Sequence, residues 1–283
     1  ISYFKTVYES DKRINDKNTV LEVRDFCMGC AACEATCPTS AISMRLNECG
    51  FYEPVIEESK CIKCGKCLSM CPQDKRMGYL RKKSWYGWHN NEITLENSTS
   101  GGVFKALADY VSKQGGIIVG AVYSEDFNSV FFDDSTCVDI EKMQKSKYTV
   151  SVMDGVYNRI QKLLELDQKV LFCGTPCQVA ALKRYFGQDC QNLITVDFVC
   201  GGMSSLSFWR EHLNKLKTKY NSLSPLTREV IETIINSSQI TKQDLVIEIG
   251  PGKVLSGFLR NIDKSIPTSS VEDEASLSVL LEK

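Results

Sequence analysis

The chain has 283 residues, of which 43% are apolar, so it can form one large domain or two smaller ones with packed cores. A formal net charge of −1 excludes a global field that would recruit nucleic acid or an anionic membrane surface. The longest apolar runs, such as GGIIVGAVY at residues 115–123, are too short to span a bilayer, so no membrane span is expected.

The cysteine content is high for this length. There are fourteen cysteines, and nine of them lie between residues 27 and 71. A disulfide framework needs an oxidising compartment, and nothing in the sequence indicates export. Ligation of a metal or a cluster fits this crowding better, so we expect a cytoplasmic protein.

Two stretches, CMGCAACEATCP at residues 27–38 and CIKCGKCLSMCP at 61–72, repeat the spacing C-x-x-C-x-x-C-x-x-x-C-P. This is the ferredoxin spacing for 4Fe–4S clusters, in which the fourth cysteine of each stretch reaches the other cluster. Zinc would use four ligands in two pairs rather than two tandem quartets. We therefore predict two clusters with crossed ligands. Cluster 1 is assigned to Cys27, Cys30, Cys33 and Cys71, and cluster 2 to Cys61, Cys64, Cys67 and Cys37.

Cys49 falls outside the repeat and is expected to be a small packed thiol. The segment that follows the repeat, at residues 72–83, contains five basic residues and one Asp. One interpretation is a solvated linker. The other is that residues 75–83 dock a redox partner protein or an acidic electron carrier. A ferredoxin-like domain is expected at residues 1–82.

Beyond Trp85 the patterning becomes αβ. A helix is predicted from the apolar residues at helical spacing between Val103 and Val111, with a stop at the glycine pair that follows. Buried strands are predicted at IIVGAVY (117–123), KVLFC (169–173) and NLITVDFVC (192–200). Thr175 suits the cap, and Pro176 the first turn, of a helix between the last two strands. This βαβ unit predicts a sheet that is at least partly parallel.

Two glycine-bearing turns stand at predicted helix starts: STSGG at residues 98–102 and GTPC at 174–177. Free backbone N–H groups and the helix dipole make such places anion sites, although small residues there are more often simple caps. Neither turn is the G-x-G-x-x-G dinucleotide fingerprint, and the chain has no Walker A motif. The pattern alone leaves a ligand site open at both turns.

The stretch from about residue 25 to 218 resembles the beta subunit of coenzyme F-420 hydrogenases and dehydrogenases. The resemblance rests on the cysteine repeat, followed in order by STSGGVFKALADYV, GGIIVGAVYSEDF, KSKYTVS, VLFCGTPCQVAALKRYFG and LITVDFVCGG. It implies an α+β protein in which the dicluster bacterial-ferredoxin-like domain precedes a mixed α/β flavin-type domain at residues 83–218. It also implies an iron–sulfur flavoprotein oxidoreductase.

Such an enzyme would pass electrons between two 4Fe–4S clusters, FAD and a two-electron acceptor, such as the deazaflavin coenzyme F-420. Clusters hold single electrons, and a flavin can collect them and release a hydride, which agrees with this implication. The alternatives are a cluster-only electron-transfer module and a partner-docking subunit, both without bound flavin.

By motif position, the resemblance implies that flavin phosphates lie near Ser100, Gly101 and Gly102. Gly174, Thr175 and Cys177 are expected to line the same cleft. Lys147 is the candidate catalytic and cofactor-binding cation, because a positive charge near the ring would stabilise a negative reduced flavin. Without the resemblance, a surface charge is the simpler interpretation of Lys147.

Three further cysteines are expected at strand ends on one rim: Cys173, Cys177 and Cys200. Free buried cysteines are common, so packing is the simpler interpretation, and catalytic thiol chemistry is the less favoured one. The family often has a histidine after the cysteine that matches Cys200. Gly201 stands there in this chain, so any chemistry that relies on that proton donor is in doubt.

The tail, residues 219–283, resembles the last segment of malonyl-CoA:acyl-carrier-protein transacylases instead, through QDLVIEIGPGKVLSGFLRNIDKSI and VEDEASLSVLLEK. It contains neither the G-x-S-x-G nucleophile elbow nor the catalytic histidine of that family, so acyl transfer is not expected. The residues around Val246 to Ile249 predict a buried strand. The flavin-type domain is accordingly expected to be truncated near residue 218.

Overall fold

The computed structural model describes residues 19–74, 88–187, 190–198, 200–220, 246–249 and 268–271. The chain divides into two compact units, residues 1–216 and 217–283, so the expected ferredoxin-like and α/β domains lie within a single unit. Among the described residues, no helix has the length and apolar character needed to cross a membrane.

The cysteine repeat folds around one antiparallel hairpin. A 3-10 helix at Val20–Phe26 is followed by α1 (Ala32–Ala35), β1 (Ile42–Leu46), β2 (Tyr52–Ile56) and α2 (Lys66–Met70). The hairpin register places Ile42 opposite Ile56.

The two copies of the repeat have the same backbone turns. Gly29 and Lys63 occupy equivalent places and have φ values of 67° and 51°. The equivalent residues before α1 and α2, Ala31 and Gly65, have φ values of 57° and 73°. These left-handed residues turn each loop sharply, so that consecutive cysteines face one point.

The first unit also contains a mixed five-stranded sheet, with its strands in the order β5-β4-β3-β6-β7. Its strands are β3 (Ile117–Tyr123), β4 (Val130–Asp134), β5 (Ser151–Val152), β6 (Val170–Gly174) and β7 (Leu193–Asp197). Strands β3, β6 and β7 run parallel, which confirms the predicted βαβ unit, and β4 is antiparallel to β3.

Helices cover both faces of this sheet. They are α3 (Glu92–Glu96), α4 (Val103–Ser112), α5 (Ile140–Met143), α6 (Val156–Glu165), α7 (Pro176–Phe186) and α8 (Leu206–Tyr220). Helix α4 packs with Ile118 of β3, whereas α6 and α7 pack with Val119. Because neighbouring strand residues point to opposite faces, α4 and α7 lie on opposite faces of the sheet.

Two strands are described in the second unit. β8 (Val246–Ile249) pairs in parallel with β9 (Thr268–Val271), with Val246 opposite Thr268. The strand predicted near residues 246–249 is therefore confirmed at the level of the backbone.

Cys49 corrects one expectation, because it is exposed rather than packed. It lies in the turn between β1 and β2, where the side-chain oxygen of Asn47 accepts hydrogen bonds from the backbone N–H groups of Cys49 and Phe51 at 3.1 and 3.0 Å. The turn is held by this asparagine, so the thiol has no packing role there.

Candidate functional site

The structure brings the eight repeat cysteines together in two groups of four. Cys27, Cys30, Cys33 and Cys71 line one small cavity, and Cys37, Cys61, Cys64 and Cys67 line another. Each group takes three cysteines from one copy of the repeat and the last cysteine from the other copy. Four thiols around one cavity are a donor set that suits a 4Fe–4S cluster. Which cysteine holds which cluster stays a prediction, and we call the two cavities the cluster 1 site and the cluster 2 site.

Backbone N–H groups point at the sulfur atoms in both sites. Gly29 donates to the Sγ of Cys27 at 3.4 Å, and Val20 donates to the Sγ of Cys67 at the same distance. Burial opposes the charge of Cys37, but hydrogen bonds from the backbone of Thr39 and Ala41 outweigh it and lower its pKa. Hydrogen bonds of this kind stabilise negative sulfur and tune cluster potentials.

The cluster 1 site is the more deeply buried of the two. Burial raises the pKa of Cys30 to about 12, against a hydrogen bond from the backbone of Ala32, and the neighbouring Cys71 adds to the increase. In the cluster 2 site Cys64 is exposed, and the adjacent Ile62 side chain is 64% exposed. The cluster 2 site therefore faces the surrounding solution, whereas the cluster 1 site faces the interior.

A cleft of about 630 Å³ opens between the cysteine repeat and the α/β region. Its wall is largely apolar and includes Met28, Phe51, Tyr52, Pro176 and Met203. A cavity of this size with a mostly apolar wall is typical of small-molecule and cofactor sites. Burial raises the pKa of Tyr52, and a nearby charge on Arg210 opposes this shift.

The N-terminus of α7 forms one side of this cleft. Thr175 and Gln178 cap the helix reciprocally, and the backbone N–H of Thr175 donates to the Oε1 of Gln178 at 2.9 Å. Gln178 also donates from Nε2 to the Oγ of Ser151 at 2.8 Å, which ties the helix to the edge strand β5. The predicted cap and the proline in the first turn are confirmed.

The residue before this cap is a glycine, Gly174, and a side chain at this position would not fit. A Cβ atom there would lie 2.6 Å from the ring of Phe172 and 2.9 Å from the Oε1 of Gln178. The glycine thus allows β6 to run directly into α7, which places Thr175 and Cys177 on the cleft.

The cluster 1 site and the cleft share part of their walls. Five residues line both of them: Cys27, Met28, Pro72, Gln73 and Cys177. A molecule bound in the cleft is therefore separated from the cluster 1 site by single side chains.

Two long-range contacts hold this arrangement in place. The hydroxyl of Tyr157 donates to the backbone carbonyl of Cys30 at 2.7 Å. Arg184 donates to the carbonyl of Ser69 at 3.1 Å and also to the carbonyl of Cys71. The sequence analysis missed Tyr157 and Arg184, since no local pattern reveals contacts between residues 127 or 113 positions apart.

The first glycine turn lies elsewhere. Ser100, Gly101 and Gly102 are not among the residues that line the cleft, and a cofactor shared by the two glycine turns stays a prediction. The turn lies off the cleft because α4 begins after Gly102 and packs on the opposite face of the sheet from α7. A phosphate site at residues 100–102 stays a prediction.

Lys147 also lies off this cleft. Its Nζ donates to the backbone carbonyls of Lys142, Gln144 and Lys145, with distances of 2.9 Å to Lys142 and 3.2 Å to Lys145. These contacts hold the end of α5 and the turn after it. A catalytic role for Lys147 stays a prediction. The basic segment at residues 75–83 lies outside the described residues.

Two family models match separate parts of the chain. Residues 26–75 match the family described as 4Fe-4S dicluster domain. Residues 167–268 match the family described as the C terminus of the beta subunit of coenzyme F420 hydrogenase/dehydrogenase. Two 4Fe–4S clusters are therefore the cofactors of the repeat region.

Several curated relatives cover part of the chain. It is 24% identical over 171 residues to a subunit of the F(420)H(2) dehydrogenase of Methanosarcina mazei, which is 56% of this chain and 48% of that protein. It is 26% identical over 164 residues to the coenzyme F420-dependent sulfite reductase of Methanocaldococcus jannaschii, which is 56% of this chain and 25% of that protein. Ferredoxin-2 of Chlorobaculum tepidum is 40% identical over 58 residues, 18% of this chain and 86% of that protein. The chain spans about half or less of the two longer relatives.

These matches also bear on the tail. The match to the hydrogenase/dehydrogenase family continues to residue 268, well past residue 218, and the acyltransferase resemblance of residues 219–283 finds no support. A short apolar strand followed by a glycine turn occurs in many α/β proteins, so that pattern was not specific. The match runs from β6 through α7, β7 and α8 into the second unit, so this part of the chain is similar to the C terminus of coenzyme F420 hydrogenase/dehydrogenase beta subunits.

Proposed function

We propose that this chain is an iron–sulfur flavoprotein oxidoreductase that passes electrons between two 4Fe–4S clusters, FAD and a two-electron acceptor such as a deazaflavin. The names of two relatives include coenzyme F420 as a reactant, which supports a deazaflavin as the acceptor class. A flavin, when bound, exchanges single electrons with clusters and electron pairs with such an acceptor.

The observation that carries this proposal is the wall shared by the cluster 1 site and the cleft. Cys27 and Cys177 line both, so a ring bound in the cleft would lie beside the cluster 1 site. Tyr157 and Arg184 fix the loops on which Cys30 and Cys71 lie, and so keep this separation constant. A constant short separation is what the protein must supply for electron transfer.

The difference in exposure between the two cluster sites supports one order of electron transfer in this proposal. Cys64 of the cluster 2 site is exposed, so an external one-electron donor or acceptor would exchange electrons there. The cluster 1 site shares wall residues with the cleft, whereas none of the residues that line the cluster 2 site lines the cleft. The route in this proposal therefore runs between solution, cluster 2, cluster 1 and the cleft, in either direction.

The cleft residues suit a flat cofactor ring. Met28, Phe51 and Met203 offer apolar and aromatic contacts to the faces of such a ring. The N-terminus of α7, at Thr175, presents the positive end of the helix dipole, which favours negative charge on a reduced ring. Ser100, Gly101 and Gly102 are retained as the proposed phosphate site, and Lys147 as the proposed catalytic cation.

The test is the cofactor content of the full chain, purified without oxygen. We expect about eight irons per chain from two 4Fe–4S clusters, together with about one flavin released by acid. Reduced protein should also reduce coenzyme F-420, followed by its absorbance. Iron without flavin would contradict the flavoprotein proposal and favour the alternative, a cluster-only electron-transfer module.

A further inference from the structure

A hydrogen-bonded chain of three residues runs along one side of the cleft. Thr175, Gln178 and Ser151 all line the cleft. The backbone N–H of Thr175 donates to the Oε1 of Gln178 at 2.9 Å, and the Nε2 of Gln178 donates to the Oγ of Ser151 at 2.8 Å. Gln178 is only 7% exposed, so water has little access to its amide group. The chain links the first turn of α7 to the edge strand β5.

The direction of each bond in this chain is fixed by the backbone. A backbone N–H can only donate, so the Gln178 atom that meets Thr175 must be the amide oxygen. The other end of the amide is then the NH₂ group, which can only donate, and the Oγ of Ser151 must accept. The backbone N–H of Gln178 also donates to the side chain of Thr175, which completes the helix cap. The Gln178 amide therefore has one orientation.

The Ser151 hydroxyl is left with a proton to donate. A hydroxyl has one donor and two acceptor sites, and Gln178 occupies one of the acceptor sites. In the part of the chain that the structure describes, no acceptor lies within hydrogen-bond reach of the proton. Because Ser151 lines the cleft, a molecule bound there meets this donor.

The rest of the cleft wall also favours a ligand that accepts hydrogen bonds. None of the described residues that line the cleft is an aspartate or a glutamate, so an N–H group of a ligand finds no carboxylate there. Flavins and deazaflavins share a pyrimidinedione ring, whose carbonyl oxygens can accept hydrogen bonds in both the oxidised and the reduced state. Such a carbonyl suits a hydroxyl donor whose direction is fixed.

We propose that the Ser151 hydroxyl donates a hydrogen bond to a carbonyl oxygen of the pyrimidinedione ring that binds in the cleft, and that Gln178 orients this donor. Ser151 then selects a ring with a carbonyl at this place. Gln178 is a positioning residue, since it acts on the ring through Ser151. This inference rests on the proposed function, because it takes the cleft as the ring site, but it holds for the ring of FAD and for that of coenzyme F-420.

Binding of two ring probes to the full chain, with its clusters loaded, tests the donor. The probes are lumiflavin, which has the flavin ring without phosphates, and coenzyme F-420. Any bound flavin is first removed at constant iron content. We expect Ser151→Ala to bind the ring about 3- to 10-fold more weakly than the wild type, which is the loss typical of one neutral hydrogen bond. Equal affinities of the wild type and Ser151→Ala would overturn the proposal.

Ser135→Ala is the matched control for this substitution. Ser135 is also half-buried, and its Oγ also accepts one hydrogen bond, from the backbone N–H of Ile118 at 3.0 Å. It is not among the residues that line the cleft, so Ser135→Ala should bind both probes as the wild type does. An equal loss of affinity in Ser135→Ala and Ser151→Ala would contradict a specific role for the Ser151 hydroxyl.

Gln178→Glu reverses the second bond of the chain without changing the size of the side chain. One carboxylate oxygen can still accept from Thr175, but the other can only accept, so the Ser151 hydroxyl turns towards it and away from the cleft. We expect Gln178→Glu to lose as much affinity for lumiflavin, an uncharged ring, as Ser151→Ala does. The double variant should lose no more than either single variant. Additive losses would contradict the positioning role of Gln178.

The infrared spectrum of the bound probe separates a lost hydrogen bond from a general loosening of the cleft. A hydrogen bond lowers the stretching frequency of the carbonyl that accepts it. One ring carbonyl band should therefore move to higher frequency in Ser151→Ala and in Gln178→Glu, and should not move in Ser135→Ala. Unchanged carbonyl bands in Ser151→Ala would overturn the proposal even where the affinity falls.

The flavin content of the purified chain is measured as well, so that this inference and the proposed function fail separately. A chain without flavin, in which Ser151→Ala weakens the binding of coenzyme F-420, supports the Ser151 donor and contradicts the flavoprotein proposal. A chain with one flavin, in which Ser151→Ala binds both probes as the wild type does, gives the opposite result. Binding of neither probe to the wild type would overturn the inference.

Discussion

The hydroxyl of Tyr157 donates a hydrogen bond of 2.7 Å to the backbone carbonyl of Cys30, which lies 127 residues earlier in the chain. Tyr157 is only 2% exposed, and burial raises its pKa well above the usual range, so the hydroxyl stays protonated and remains a donor. One buried side chain of α6 thereby positions a predicted ligand loop of cluster 1 against the sheet.

Tyr157→Phe should therefore destabilise the protein, because it leaves a buried carbonyl without this donor. We expect the free energy of unfolding to fall by about 1–3 kcal/mol, measured by denaturant titration. The electron paramagnetic resonance signal of cluster 1 should also change, since the loop loses its anchor. Tyr185→Phe is the control, because Tyr185 packs against Tyr157 at 4.9 Å between ring centroids. An equal effect of the two substitutions would contradict a specific role for the Tyr157 hydroxyl.

The cluster ligands can be tested one site at a time. Cys37→Ser should remove or alter cluster 2 and leave cluster 1 largely intact, because Cys37 lines the cavity of Cys61, Cys64 and Cys67. Iron analysis and electron paramagnetic resonance of the reduced protein measure the two clusters. Cys49→Ser, at an exposed cysteine, should change neither. Loss of cluster 1 in Cys37→Ser would show that the crossed assignment is wrong.

Removal of the Tyr123 hydroxyl should not destabilise the protein, in contrast to removal of the Tyr157 hydroxyl. The Tyr123 hydroxyl is buried and has no hydrogen-bond partner among the described residues. Tyr123→Phe should therefore leave the free energy of unfolding unchanged or raise it by about 1 kcal/mol at neutral pH. A clear loss of stability in Tyr123→Phe would indicate a partner for this hydroxyl that the structure does not show.

The same residue makes a prediction about pH. Burial raises the pKa of Tyr123 above its usual value near 10, so folding favours the protonated form. Its contribution is fully present below about pH 10 and is lost as pH rises further, because the unfolded chain then releases the proton first. Unfolding of Tyr123→Phe followed from pH 8 to 11 should therefore depend less steeply on pH above 10 than unfolding of the wild type.

The cleft itself can be blocked. Ala180 of α7 lines it, so Ala180→Trp should lower the flavin content while the iron content stays unchanged. Lys162→Trp, at an exposed position of α6, is the control for a tryptophan on a helix surface. A flavin content in Ala180→Trp equal to that of the control would exclude the cleft as the ring site.

Ser100→Glu tests the phosphate site predicted at residues 100–102. A carboxylate at this exposed position would repel phosphate, so the flavin content should fall. Gly102→Val is unsuitable for this purpose. Gly102 has a φ of 74°, and a Cβ there would lie 2.9 Å from the Cβ of His89, so the loop would be strained with or without a flavin. Normal flavin in Ser100→Glu would contradict a phosphate site at this turn.

Local patterns were enough to predict the features that depend on near neighbours in sequence. The cysteine spacing predicted groups of four that the structure brings together, and Thr175 and Pro176 predicted the start of α7. The position of Ser100 relative to Thr175 could not be predicted, because it depends on which face of β3 each helix covers. The contacts of Lys147 were hidden as well, since its acceptors are backbone carbonyls, which every residue carries.

The shared wall between the cysteine repeat and the cleft has a consequence for a cell that is short of iron or exposed to oxygen. Cys27, Met28 and Tyr52 belong to the region that the clusters organise, and they also form one side of the cleft. Because metal binding and folding are coupled, loss of the clusters would disorganise this wall. The damaged chain would then lose its affinity for the molecule that binds in the cleft as well as its capacity to transfer electrons. It would therefore not accumulate as an inactive protein that still binds this molecule.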